Sequence, residues 1–197
     1  MGQWGSRLSE ETFHLIEGFL GVEEYVEDYV LAGLEMFRHD RTRRNMQLQW
    51  GAEEAKHAVA WELVLKHSRA RTDQQLQTYL DKVRDFRWSL KNHPGADSPL
   101  GSTAYAMVQE RSTYFHYQAM RARIREEYGL PLTPTPEEQQ RGSEIGAAEA
   151  FRVVGLDEIA HHGIFLQIVQ SHIKYFPSLT FEVLTKVFQG FEMPSVR

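Results

Sequence analysis

Residues 50–61 read WGAEEAKHAVAW, and residues 156–165 read LDEIAHHGIF. In the first string Trp50, Glu54, His57 and Trp61 are spaced three and four residues apart, which puts them on one face of an α-helix, while Glu53 and Lys56 lie to its sides. In the second, Glu158 and His161 share a line with Phe151, Val154 and Phe165. Each string is a Glu-x-x-His step set inside an apolar stripe, and such a step brings two side chains to about 5–6 Å at Cβ. Charged and imidazole groups that repeat with the core period demand a partner in the core.

The helix before each string supplies one more such group. Glu23 follows Ile16 and Leu20 and precedes Val26 and Val30, in a stripe that runs from Phe13 to Leu34, whereas Glu17, Glu24 and Asp28 share a more polar side. Glu110 lines up with Met107, Tyr114, Tyr117 and Ile124. Each half of the chain thus offers one inward Glu and then Glu-x-x-His, giving six candidate metal ligands: Glu23, Glu54, His57, Glu110, Glu158 and His161. Burying four ionised carboxylates together is prohibitive without positive charge, and no Lys or Arg occupies those stripes. Two metal ions would supply it. With no Cys in the chain, thiolate zinc sites, protein-held iron–sulfur clusters, disulfides and Cys nucleophiles are excluded. An oxygen-rich site with imidazole suits iron, with manganese as the alternative.

Chance places about one Glu-x-x-His in a chain with this many Glu and His, and three occur. The third, Glu11 and His14, has no counterpart in the other half and is assigned to chance or to a helix start. The competing reading of the other two is solvated Glu with hydrogen-bonded core His. Their mid-helix, apolar setting, each after a helix with an inward Glu, argues against it.

The rest of the chain reads as helix. Ser9 looks like an N-cap for a helix to about His39; further helices are predicted at about 41–69, 73–91, 102–128, 136–174 and 178–190. Pro94-Gly95 and Pro99 mark a turn, GLPLTPTPEE (129–138) interrupts, and a break is expected near Gly142, Gly146 or Gly155. No segment alternates apolar and polar residues, so no strand is predicted. The expected fold is all-α: a single domain over 1–197, a four-helix bundle with its core in about 10–175, additional peripheral helices and a short C-terminal helix at 178–190. The connection between the second and third long helices is the longest and permits a crossover. The net charge of −5 gives no reason to expect a nucleic acid or an anionic membrane as partner. The N-terminus lacks a leader pattern and no apolar run would span a bilayer, so a cytoplasmic protein is expected.

GVEEYVEDYV (21–30), WGAEEAKHAVAW (50–61), VQERSTYFHY (108–117) and LDEIAHHGIF (156–165) together resemble the soluble acyl-acyl-carrier-protein desaturases, ferritin-like di-iron proteins typified by plant stearoyl-ACP desaturase. FEMPSVR near the end is similar to the family's short Met-Pro segment. The resemblance covers about 10–194 and all six ligand positions in order. It implies two Fe ions, O2 as co-substrate, an acyl chain on acyl carrier protein as substrate, a ferredoxin-type electron donor and a homodimer. It also implies bridging roles for Glu54 and Glu158 and terminal roles for Glu23 and Glu110. Thr113 matches a Thr on the oxygen-binding side of the family's cluster, where it would be catalytic; the alternative is a helix-interior Thr bonded to its own backbone. Asp157 matches a family Asp that hydrogen-bonds a ligand His, and Glu53 holds the equivalent place before Glu54. Each would orient the His of the opposite pair, or else stand as an exposed helix charge. The chain is shorter than the plant enzymes, so the alternative is a di-iron oxygenase, hydroxylase or oxidase acting on another small or carrier-tethered metabolite. For an acidic carrier protein, Arg41, Arg43 and Arg44 and the row Arg121, Arg123 and Arg125 are the candidate docking cations.

Overall fold

The computed structural model describes residues 7–193, which are helical with no strand among them. The elements are α1 (Glu10–Glu23), α2 (Val26–Met36), α3 (Arg41–His67), α4 (Asp73–Arg84), a 3₁₀ turn (Leu90–Asn92), α5 (Pro99–Glu127), α6 (Pro136–Arg141), α7 (Ala147–Tyr175) and α8 (Pro177–Gly190). The last residues of the Met-Pro segment, 194–197, lie outside the described residues.

Local chemistry sets the boundaries. The Ser9, Asp40, Thr72, Ser98 and Thr135 side chains each accept a hydrogen bond from a first-turn backbone N–H, satisfying donors that the helix itself cannot. Pro99, expected as part of a turn, instead begins α5, where its missing N–H costs nothing. The expected interruption in the last long helix falls between Arg141 and Ala147. Gly142 closes α6 at a φ of 74°, in the left-handed region that favours glycine. Gly155 is interior to α7 and introduces no break.

Two expected helices are shorter than the periodicity suggested. The helix expected to reach His39 breaks after Glu23: Glu24 N–H still reaches Leu20 O, but Tyr25 N–H turns back to Val22 O at 3.2 Å. The break shifts the buried face. Tyr25, Tyr29 and Gly33 become buried, while Val26, Val30 and Leu34 are only half-buried. The helix expected over 73–91 ends at Arg84, because Asp28 accepts from the Trp88 backbone N–H at 3.0 Å and draws the chain across α2.

Cross-helix contacts fix the directions. α5 and α7, which pack together most extensively, meet at His162 with Met107, Phe151 with Tyr117 and Glu144 with Arg121, so they are antiparallel. α1 and α2 lie antiparallel to α3, with Val30 against Gly51 and Gly33 against Gln47. A Cβ at Gly51 would sit 2.2 Å from Val30 Cγ2, so only glycine permits this approach. α3 and α7 meet at His57 with Asp157 and Glu53 with His161, again antiparallel. α3 and α5 therefore run the same way, and the segment carrying α4 must return along the length of the molecule between them. α3, at 27 residues, is about 40 Å long.

Candidate metal centre

α1, α3, α5 and α7 bring all six candidate side chains together, each buried. Glu23, Glu54, His57 and Glu158 place one ligand atom each within 4.8 Å of one another, and Glu54, Glu110 and His161 do the same. Glu54 belongs to both groups. Glu158 falls in the first, with Oε1 3.2 Å from His57 Nδ1, and also meets Glu110 of the second. His161 Nδ1 lies 2.8 Å from Glu54 Oε1 and 3.4 Å from Glu110 Oε2.

Close as they are, these atoms are not aligned as hydrogen bonds. Glu54 Oε1, His57 Nδ1, Glu110 Oε2, Glu158 Oε1 and His161 Nδ1 are all buried without a hydrogen-bond partner. Leaving one such group unpaired costs about 1–3 kcal/mol, and more when it is charged. Five in one cluster, with no Lys or Arg among them, is the pattern of donor atoms that await cations. The residues present therefore fit two metal ions of the oxygen-and-nitrogen class.

The electrostatics agree. Burial, with repulsion from Glu54, raises Glu23 to about 8 against the pull of His57 and Tyr117. Burial also pushes Glu54 up, but its contacts with His161 and His57 outweigh this and bring it down to about 2. Burial alone would depress both imidazoles; the facing carboxylates instead raise His57 to about 9 and His161 to about 11. Burial raises Glu110, and burial with the neighbouring carboxylates raises Glu158 well above its ordinary range. Without metal, the centre must hold protons in place of cations.

The outer hydrogen bonds are reciprocal. His161 Nε2 lies 2.7 Å from Glu53 Oε2, and His57 Nε2 lies 3.4 Å from Asp157 Oδ2, so the residue before each motif Glu faces the opposite His. Donation from Nε2–H leaves Nδ1 as the free lone pair turned to the cluster. The sequence reading missed two further partners. Tyr117 Oη donates to Glu23 Oε1 at 2.6 Å, and Trp50 Nε1 donates to Glu110 Oε1 at 2.9 Å. In the sequence each stands only as a stripe residue; the available signal is that each aromatic with a polar tip shares a face with a candidate ligand.

The other candidates make contacts of their own. Thr113 Oγ1 donates to Gln109 O at 3.0 Å, the bond of a helix-interior Thr. His14 is on the surface, with Nδ1 2.9 Å from Glu10 O. The row Arg121, Arg123 and Arg125 is not an open basic face. Arg121 pairs with Glu144, Arg123 with Glu11 and Glu127, and Arg125 is fully buried on Glu138 and Glu144. Arg43 is half-buried against Thr103 and the Phe37 ring, while Arg41 and Arg44 are exposed. No described helix is long and apolar enough to cross a membrane. Set against protein-family models, curated proteins and solved structures, the chain matches none.

Proposed function

We propose that the chain is a ferritin-like four-helix bundle, formed by α1 with α2, α3, α5 and α7, that holds two iron ions and acts as an O2-dependent oxidoreductase of the acyl-ACP desaturase type. The observation that carries this is the set of five buried, unpartnered ligand atoms drawn from two Glu-x-x-His motifs and a third Glu. Glu23 with His57 and Glu110 with His161 would hold the ions, together with Glu54, which belongs to both ligand groups, and Glu158, the two carboxylates for which the resemblance implies a shared role. When bound, a reduced di-iron pair supplies the oxidising power of O2 for attack on an unactivated C–H bond. The chain's own groups hold and tune the pair. Tyr117 and Trp50 fix Glu23 and Glu110, and Glu53 and Asp157 orient the imidazoles. The aromatic wall of Phe19, Trp61, Tyr117 and Phe151 closes one side of the centre against water. Thr113 is proposed as a hydroxyl on the oxygen side, which requires it to leave its backbone bond. A ferredoxin-type donor, a homodimer and a carrier-bound acyl chain belong to this reading.

One observation favours a different substrate, a small polar metabolite acted on by the same centre. A cleft of about 530 Å³ reaches Glu23 between α2, α3 and α4, and half of the residues that line it are charged, Glu24, Asp28, Arg84 and Arg87 among them. Walls that mix ion pairs with Val26, Val83 and Phe86 suit a small molecule with both polar and apolar parts better than a long alkyl chain. Oxygen uptake by iron-loaded, chemically reduced protein, followed by mass spectrometry of acyl-ACP or small acids added to it, tests both readings. Loss of two hydrogens from an acyl chain supports the first, and a modified small acid supports the second. No oxygen uptake above that of free iron contradicts both.

A further inference from the structure

A second group of unsatisfied polar atoms lies outside the metal cluster. Tyr29 Oη, Arg43 Nε and Trp88 Nε1 are buried without a hydrogen-bond partner, and all three residues line one partly open cavity of about 30 Å³. Tyr29 is 7% exposed. Burial raises its phenol well above the ordinary range, so it remains a donor. Arg43 spends one Nη on Thr103 at 2.7 Å and stacks on Phe37, and no described carboxylate lies within ion-pairing distance of it. Three donors, one of them a cation, thus line one cavity, and none of its other polar walls, Gln47, Ser102, Gln109 and the Tyr105 that Trp88 faces, is an aligned acceptor for them. Arg43 is half-buried and its nearest counter-charge, Asp40, acts on it only from beyond ion-pairing distance, which leaves the guanidinium able to take an anionic acceptor from outside.

The cavity also adjoins the candidate metal centre. Trp50 lines it and donates from its indole to Glu110. Trp50 sits one helical turn before Glu54, and Phe165, another wall, sits one turn after His161. A space of this size holds one or two waters, or one planar carboxylate, and not a phosphate with its four oxygens.

We propose that this cavity binds the carboxylate head of a small organic acid, with Arg43, Tyr29 and Trp88 donating to its oxygens and its tail leaving by the open side. For its purpose the inference rests on the second reading above, a small metabolite acted on by the same centre, and it specifies that metabolite as a free acid. The binding event itself needs no turnover.

Trp50 and Trp88 provide the readout. Metal-loaded protein is titrated with hexanoate, with 1-hexanol and hexylamine as controls, while tryptophan fluorescence is followed. Hexanoate is expected to give a saturable change that neither control gives. Arg43→Gln and Tyr29→Phe should each weaken it, by roughly ten- to hundredfold for the charged partner, with helicity and metal content unchanged. Wild-type affinity for hexanoate in Arg43→Gln, including attachment to the metals alone, would overturn the proposal. So would equal binding of 1-hexanol, or no saturable binding by any probe, which would leave the cavity to water. If Arg43→Gln fails to fold, Tyr29→Phe decides alone. Protein that binds two metals and consumes O2 but ignores hexanoate refutes this inference and leaves the metal reading standing.

Discussion

Each imidazole of the centre divides its two nitrogens between opposite tasks, and the strength of that division differs between the two. Glu53 holds His161 at 2.7 Å, whereas Asp157 holds His57 only at 3.4 Å. Partners of this kind commonly contribute about ten- to hundredfold in metal affinity. Glu53→Ala should therefore lower manganese affinity by about tenfold or more and Asp157→Ala by less, as read by competition with a chromophoric chelator. Equal effects would show that the hydrogen-bond lengths do not set the affinity. Protons give a second residue-scale prediction. With His57 raised to about 9, His161 to about 11 and Glu23 to about 8, each group holds a proton at neutral pH that the metal must displace. Manganese affinity should rise with pH through the neutral range, and calorimetry in buffers of different ionisation heat should detect at least the two imidazolium protons released. The six ligands were legible in the sequence because a charge in an apolar stripe violates the rule that builds the stripe. The donors from Tyr117 and Trp50 were not, since an aromatic in a stripe already satisfies that rule.

At the scale of elements, the connection between α5 and α7 is organised by one buried cation. Arg125 donates to both Glu138 oxygens, at 3.1 and 2.9 Å, and also to the carbonyls of Pro131 and Thr133. The hydrogen bonds and charge of Arg125 hold Glu138 down at about 2, against an ordinary 4.5. A depressed carboxylate stabilises the fold above its unfolded pKa and loses that contribution as pH falls through the folded one. About 3 kcal/mol should therefore disappear between pH 4.5 and about 2. Glu138→Gln should lower the melting temperature at pH 7 and flatten its acid dependence in that window; an unchanged acid limb would contradict the assignment. From sequence, Arg125 looked like one of a row of exposed cations, because periodicity shows that a position faces inward but not which loop folds over it. The break after Glu23 was illegible for a related reason. Val26, Val30 and Leu34 continue the apolar period closely enough to hide it, and what decides is the burial of Tyr25 and Tyr29 beside Val83.

At the scale of the whole molecule, the candidate metal centre is the place where four helices meet, so on the proposed reading its occupancy and the stability of the fold are coupled. A ligand bound only by the folded chain stabilises it by mass action, about 2.7 kcal/mol at a hundredfold excess over Kd. Loading with manganese should raise the melting temperature of the wild type and leave that of Glu54→Ala, which lacks the carboxylate shared by both groups, nearly unmoved. The all-helical class was readable because no segment carries a strand period. The return path through α4 was readable only as a permitted connection, since its direction depends on contacts between residues far apart in the chain.

The most direct test of the central claim is elemental analysis of protein purified after iron supplementation, alongside Glu54→Ala and Glu110→Ala. The account predicts two iron or manganese ions per wild-type chain, loss of most metal in Glu54→Ala and loss of about half or more in Glu110→Ala, with helicity retained. A folded wild-type chain that holds no more than trace iron or manganese would contradict it.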